Sequence, residues 1–170
     1  AGVNLSTVSQ LARFQSTTCN QTFTQSLPWI TTNNVSQVCP GQTTTCNGGV
    51  VPGTQQFVYR GNVTLTPCVD WVLYWYQGAR NANITNLTNP NTQNLYIQST
   101  LNNVIGINNN SPQFFNIPTP YLCANQLAIY SHAASDVDGD SLYYSFNNPL
   151  GGIAPPGTNI AFAFGYSLLQ

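Results

Sequence analysis

Residues 69–76 read Val-Asp-Trp-Val-Leu-Tyr-Trp-Tyr, a dense run of β-branched and aromatic side chains between a proline and a glycine. Its length and composition favour a strand covered on both faces over a helix. Because side chains alternate along a strand, Trp71, Leu73 and Trp75 would share one face. We interpret these aromatics as core residues; the alternative is a platform on which sugars stack.

Shorter strands are predicted on both sides of this run. They would be separated by loops rich in Pro, Gly and Asn, which favour turns. The sequence therefore predicts an all-β fold. The predicted strands are residues 22–24, 29–31, 56–66, 95–101, 127–130, 141–146 and 160–164.

The composition excludes several classes of protein. Charged residues are 4% of the 170 residues, against about 25% in ordinary domains. Aromatics at 12% argue against disorder, which couples high charge to few aromatics. A net charge of −1 without a basic patch argues against nucleic-acid binding. No apolar run approaches the ~20 residues of a membrane-spanning helix, so no membrane insertion is expected.

The acidic residues are concentrated in one place. Three of the four, Asp136, Asp138 and Asp140, lie within five positions around Gly139. Alternating carboxylates beside a turn-forming glycine can converge oxygens on Ca²⁺, so these three are the candidate metal ligands. The chain has no Glu, so the loop is not an EF-hand. The alternative is a polar loop that connects two strands.

The five cysteines favour disulfides in an oxidising compartment. There is no Cys-x-x-Cys pair and only one His, which argues against structural zinc. Cys39 and Cys46 flank a turn-rich loop and form the first candidate bridge. Cys68 and Cys123 form the second. The odd count leaves one thiol free or paired with another chain.

No catalytic constellation emerges from the sequence. His132 precedes Asp136 by four residues, but no Gly-x-Ser-x-Gly elbow accompanies them, and proximity in sequence does not make a triad. The acidic cluster is better explained by a metal than by paired carboxylates for glycoside hydrolysis. We therefore expect no enzymatic activity.

The prolines at 118 and 120 indicate a linker between two units. The first would be a β-sandwich over residues 1–119. The second, residues 120–170, has few strands for an independent sandwich. It would be an incomplete β-unit, either truncated, packed on the first or completed by a neighbouring chain.

Several segments together resemble very large surface adhesins of the Bacteroidota, of the gliding-motility type exported by the type IX secretion system. The most specific are Arg-Asn-Ala-Asn-Ile-Thr-Asn-Leu at 80–87 and Asp-Val-Asp-Gly-Asp-Ser-Leu at 136–142. The others are Thr-Cys-Asn-Gly-Gly at 45–49, Pro-Cys-Val-Asp-Trp at 67–71, Asn-Asn-Ser-Pro at 109–112 and Pro-Tyr-Leu-Cys at 120–123.

This resemblance implies Ig-like or cadherin-like β-sandwiches, the second cadherin-like or PKD-like, with calcium stiffening their junctions. It implies location at the cell surface of a Gram-negative bacterium. Asp136, Asp138 and Asp140 would be the calcium ligands. Asp-Ser-Leu at 140–142 is similar to the O-glycosylation acceptor pattern of these bacteria, which makes Ser141 a candidate acceptor.

The predicted function is that of a non-enzymatic, calcium-rigidified extracellular β-domain of an adhesin or filament. Its partners would be neighbouring domains or identical chains, with glycans or surface proteins as adhesion targets. One alternative is a self-assembling filament subunit that exchanges strands between chains. A further alternative is a carbohydrate-binding module.

Overall fold

The computed structural model describes residues 5–39, 41–105, 109–117, 125, 127 and 129–168, and within them the regular secondary structure is almost entirely β, with 34% of residues in strands. Two single-turn 3₁₀ helices, Thr45–Asn47 and Pro90–Thr92, are the helical elements of these residues. The all-β prediction is confirmed, whereas the Ig-like and cadherin-like assignments stay predictions. The strands are β1 Gln10–Ser16, β2 Gln21–Leu27, β3 Trp29–Asn34, β4 Gln55–Tyr59, β5 Trp71–Gln77, β6 Leu95–Leu101, β7 Gln113–Phe114, β8 Ala134–Ser135, β9 Leu150–Gly151 and β10 Thr158–Asn159.

The chain forms two compact units, each assembled from three separated segments. The first takes Ala1–Gln10, Leu27–Gly61 and Asn108–Tyr143, and the second takes the segments between and after them. Neither unit coincides with the predicted blocks 1–119 and 120–170, because strands that pair in the sheets are distant in sequence. The predicted linker at 118–120 lies outside the described residues.

The run at 69–76 becomes β5, an inner strand of a four-stranded sheet with the order β2-β1-β5-β6. It pairs antiparallel with β1 on one side, where Phe14 faces Leu73. On the other side it pairs with the full length of β6, from Trp71↔Leu101 to Gln77↔Leu95. The prediction of a central strand here, and of a strand at 95–101, is confirmed.

One face of this sheet carries the core of the second unit. Trp71 is fully buried, and Phe14 and Cys68 are buried beside it. Phe23 from β2 stacks on Phe14 at 4.9 Å and meets Trp71 edge-on at 5.8 Å. The indole N–H of Trp71 donates to the Thr66 carbonyl at 2.9 Å, which satisfies the polar atom of a buried ring. The core interpretation of Trp71 is therefore confirmed.

The opposite face of the sheet is covered by aromatic rings and the β9–β10 hairpin. Tyr74 and Tyr96 are buried and stack at 5.9 Å. Tyr96 packs against Gly157, where an added Cβ would lie 2.9 Å from the ring. The Arg13 guanidinium lies 3.9 Å from the centre of the Tyr76 ring, a cation–π contact. Aromatic side chains therefore cover both faces of β5.

Some predicted strands are absent from the described structure. Of the predicted strand at 56–66, residues 56–59 lie in β4, whereas residues 61–66 are not in a strand. The Thr66 carbonyl accepts from the side chains of Trp71 and Asn103. Residues 141–146 form no ladder either, and Tyr143 and Phe146 are 92% and 82% exposed. At 160–164 a single bridge, Leu87↔Phe162, replaces the expected strand. A segment with high β propensity therefore does not form a strand unless a neighbouring strand pairs with it.

The first unit consists of two antiparallel strand pairs. β3 pairs with β4, with an irregularity between Trp29 and Thr31. β7 pairs with β8 through Gln113↔Ser135 and Phe114↔Ala134. Of the predicted strand at 127–130, residue 128 lies outside the described residues, and residues 127, 129 and 130 are not in a strand.

Candidate functional site

The acidic turn, residues 136–140, is a tight turn built around glycine. The Gly139 N–H donates to the Asp136 carbonyl at 3.3 Å, and Gly139 has a φ of +82°, a conformation that favours glycine. The Asp136 side chain accepts from the Asp138 N–H at 2.8 Å, an interaction typical of Asp in turns. The sequence therefore specifies this turn locally.

The Asp138 carboxylate binds Asn110. The main-chain N–H of Asn110 donates to it at 2.5 Å, and the side-chain amide of Asn110 donates at 3.0 and 3.2 Å to its two oxygens. Both partners belong to the first unit. This contact joins residues 28 positions apart and was not foreseen from the sequence.

The three predicted calcium ligands are not grouped in the described residues. Ca²⁺ takes six to eight oxygen ligands, so the three carboxylates would have to converge. Across the described residues, which include all four aspartates, no three His, Cys, Asp or Glu side chains are grouped so that they could hold a metal ion. Asp136 and Asp138 instead accept hydrogen bonds from N–H groups, whose positive ends face the carboxylates.

The disulfide of the described residues joins Cys19 and Cys68, with their Cα atoms 6.2 Å apart. Both predicted bridges are wrong, the Cys68–Cys123 bridge because of this pairing and the Cys39–Cys46 bridge because neither of its cysteines is bonded. Cys68 is bonded to Cys19 rather than to Cys123, which lies outside the described residues. Cys39 and Cys46 are free thiols, and the Cys46 sulfur packs beside Gly53, where an added Cβ would lie 2.5 Å from it.

Asp70, the one acidic residue outside the acidic turn, accepts a dense set of hydrogen bonds. Ser16 donates through its hydroxyl at 2.5 Å. Thr17 donates through its hydroxyl at 2.6 Å and its main-chain N–H at 3.0 Å. Thr18 donates through both its N–H, at 3.0 Å, and its hydroxyl. The carboxylate therefore holds the turn between β1 and β2 against the start of β5.

These donors change the acidity of Asp70. The hydroxyls of Ser16, Thr17 and Thr18, and then the Thr18 N–H, hold the pKa of the Asp70 carboxyl well below its ordinary value of 3.8. Hydrogen bonds to the charged form favour that form. Asp70 is therefore an ionised structural anchor, and a general base at this position is not supported.

The disulfide and the Asp70 contacts together form what we call the β1–β5 clasp, residues 16–19 with 68–70. Sequence reasoning missed it, although a signal was present. Three hydroxyl-bearing or N–H-donating residues, 16–18, come directly before Cys19, and Asp70 comes two residues after Cys68. If the two cysteines bond, these hydroxyls and the carboxylate are brought close together. Only the pairing of β1 with β5 shows that these two cysteines meet.

The remaining predicted site residues lie in separate places. Trp75 lines a hollow of about 230 Å³ on the sheet with Ala12, Leu73 and Ile97. The His132 ring contacts Tyr130 at 5.1 Å and Phe114 at 6.4 Å, both edge-on, so it belongs to an aromatic cluster. Ser141 is exposed, and its glycosylation stays a prediction.

Within the described residues, no helix has the length and apolar character needed to cross a membrane. Comparisons with known proteins gave no match to a family model, a curated protein or a solved structure. The function therefore has to be argued from the chain itself.

Proposed function

We propose that this chain is a non-enzymatic, load-bearing β-module of an extracellular surface adhesin or filament. The observation that carries the proposal is the β1–β5 clasp, in which a disulfide and the hydrogen bonds of Asp70 fasten the first hairpin of the sheet to its inner strand. Disulfides form and persist in oxidising compartments, which supports an extracellular location. The resemblance to Bacteroidota surface adhesins supports the same setting.

The clasp closes a loop of 49 residues that contains β2, β3 and β4. Closing a loop of this length restricts the unfolded chain and stabilises the folded state by about 4 kcal/mol. Under tension the bridge also prevents this loop from extending. Both effects suit a protein that transmits force at a cell surface.

The surface chemistry supports an adhesive role. Lys and Glu are absent, and Asn, Gln, Thr and Ser provide the polar groups. Such a surface offers hydrogen bonds to glycans or proteins with little dependence on charge. Neighbouring modules or identical chains are the other partners that we propose.

Single-molecule stretching tests the load-bearing role. The oxidised chain should unfold with a contour length shorter by roughly 160–180 Å than the reduced chain, since 49 residues span about 3.3–3.6 Å each when extended. The variant Cys19→Ser should show the longer length without reductant, and it should unfold at lower force. Cys39→Ser removes an exposed free thiol and is the matched control. Equal unfolding forces for the two variants would overturn the proposal.

Localisation is tested by directing the same chain to the cytosol or to the periplasm of a bacterial host. The periplasmic product should carry the Cys19–Cys68 bridge in its intact mass and resist proteolysis. The cytosolic product should be reduced and more readily cleaved. A reduced chain that is as protease-resistant as the oxidised one would contradict an oxidising compartment as the working environment.

Self-assembly by strand addition is a second candidate, favoured by residues 141–146. This segment has strand-type composition but lies outside every described strand, with Tyr143 and Phe146 exposed. Strand addition uses main-chain hydrogen bonds together with alternate side chains. Light scattering after size exclusion should then show concentration-dependent oligomers, lost in Tyr143→Ser/Phe146→Ser and retained in Val50→Ser, which alters an exposed loop valine. A monomer at all concentrations would rule this candidate out.

A further inference from the structure

The acidic turn continues an antiparallel pairing that begins at β7 and β8. Those strands pair Gln113 with Ser135 and Phe114 with Ala134. Counting three residues back along the chain from Gln113 and three residues forward from Ser135 reaches Asn110 and Asp138. The hydrogen bonds between Asn110 and Asp138 therefore lie where the same register, extended, places the two residues opposite each other.

The other end of this pairing is fastened in the same way. The Phe115 N–H donates to the Ala133 carbonyl at 3.0 Å. The Asn116 side chain donates to the Ser131 carbonyl at 2.9 Å, and the Tyr130 hydroxyl donates to the Asn116 carbonyl at 3.2 Å. The β7–β8 ladder has two residue pairs. Further hydrogen bonds, most of them from side chains, extend it at both ends and connect residues 110–116 with residues 130–138.

We infer that the acidic turn is a metal-independent clasp, in which Asp138 holds the segment 109–117 through Asn110. A cation at the Asp138 carboxylate would compete with three N–H contacts, which already use most of the roughly four acceptor sites of its two oxygens. Those N–H groups carry partial positive charge and oppose a cation placed beside them. Asp136 contributes by fixing the turn through the Asp138 N–H.

This inference assigns different roles to residues that a calcium site would treat alike. Asp138 is the holding group and Asp136 shapes the turn. Asp140 is exposed, and no side-chain hydrogen bond of Asp140 is found in the part of the chain that the structure describes. Removing Asp138 should therefore loosen the pairing, whereas removing Asp140 should not. A calcium site would lose a ligand in either case.

The test compares the full chain with Asp138→Ala and Asp140→Ala, each in 2 mM EDTA and in 2 mM CaCl₂. Wild type should melt at the same temperature, within about 1 °C, in both buffers. Asp138→Ala should melt lower by about 3 °C in both buffers, as expected for the loss of about 1 kcal/mol in a chain of this size. Asp140→Ala should match wild type.

Hydrogen exchange gives a local readout that does not depend on global stability. The Asn110 amide should exchange at least ten times faster in Asp138→Ala than in wild type, and EDTA should leave the wild-type rate unchanged. Asp138→Asn keeps an acceptor oxygen for this amide, so it should retain most of the protection. If Asp138→Ala does not fold, Asp138→Asn still tests the inference: a calcium site would lose a charged ligand in that variant, whereas the contact with Asn110 keeps its acceptor oxygen and should persist in EDTA and in CaCl₂ alike.

Two results would overturn the inference. One is a calcium-dependent rise of several degrees in the wild-type melting temperature that is lost in both Asp138→Ala and Asp140→Ala. The other is an Asn110 amide that exchanges at the wild-type rate in Asp138→Ala, or that loses its protection in Asp138→Asn.

Discussion

At the scale of single residues, the Asp70 carboxylate holds the β1–β5 clasp together through its hydrogen bonds. Asp70 receives hydroxyl and N–H donors from three consecutive residues, and this set lowers its pKa because the donors stabilise the charged carboxylate. The folded state therefore binds a proton at Asp70 less readily than the unfolded state. Stability must follow this difference as pH changes.

We predict that acid removes the Asp70 contribution to stability. A carboxyl whose pKa is lowered by folding stabilises the folded state above its ordinary value of 3.8, and the contribution is lost as pH falls below that value towards the folded pKa. Thermal unfolding from pH 7 to pH 2 should show this loss. Asp70→Asn should be less stable than wild type at pH 7, and the difference should shrink steadily below pH 4. A constant difference would contradict the prediction.

Gly49 is a second position where adding a single atom, a Cβ, should change stability. A Cβ added there would lie 2.1 Å from the main-chain oxygen of Thr43, which cannot move without shifting the loop. Gly49→Ala should therefore lower the free energy of unfolding by about 2 kcal/mol, within the usual range for strain of this kind. Gly78→Ala is the matched control, since nothing lies within 4 Å of an added Cβ. Denaturant unfolding of both variants measures the difference.

At the scale of elements, β5 organises the second unit because both of its edges are paired and both of its faces are covered. Its two tryptophans point to the same face but have different surroundings. Trp71 is fully buried against Phe14 and Phe23. Trp75 is only partly buried and borders the hollow on the sheet. Position along the strand, rather than residue type, therefore sets the energetic role of each.

We predict that Trp71→Ala destabilises the chain by about 4 kcal/mol, because it leaves a large cavity in a core that cannot fully collapse. Trp75→Ala should cost about 1–2 kcal/mol, since much less of its surface is withdrawn from water. Urea unfolding of both variants gives these values. Equal losses would show that the core is not centred on Trp71. Loss of glycan binding in Trp75→Ala alone would favour the carbohydrate-binding alternative.

At the scale of the whole molecule, the scarcity of charge is the dominant property. Three arginines and four aspartates serve 170 residues. Arg13 lies over the Tyr76 ring, and Arg80 donates to the Leu150 carbonyl at 2.8 Å. Asp70 and Asp138 bind neutral donors. These charges therefore act through local contacts with neutral groups.

We predict that stability is nearly independent of salt. Screening weakens interactions between exposed charges separated by more than about 8–10 Å, and such interactions are few in a chain of this composition. The melting temperature should change by less than about 2 °C between 50 and 500 mM NaCl at pH 7. A larger change would reveal charge interactions that the described contacts do not include.

The sequence by itself determined the class of fold, the position of the inner strand and the local acidic turn. These features depend on neighbours in sequence: aromatic and β-branched side chains in residues 69–76, and Asp and Gly in residues 136–140. Periodicity and turn chemistry act over a few residues, so they can be read from the chain alone.

Only the tertiary structure decided which distant residues meet. Cys19 binds Cys68, Asp70 binds the hydroxyls at 16–18, and Asp138 binds Asn110, across separations of 49, about 50 and 28 residues. Strand order and register fix these contacts, and neither can be predicted from the pattern of a short stretch of sequence. The three carboxylates at 136–140 are compatible with a metal site in sequence. The tertiary structure gives Asp138 N–H partners on Asn110, as it gives Asp70 N–H and O–H partners at 16–18.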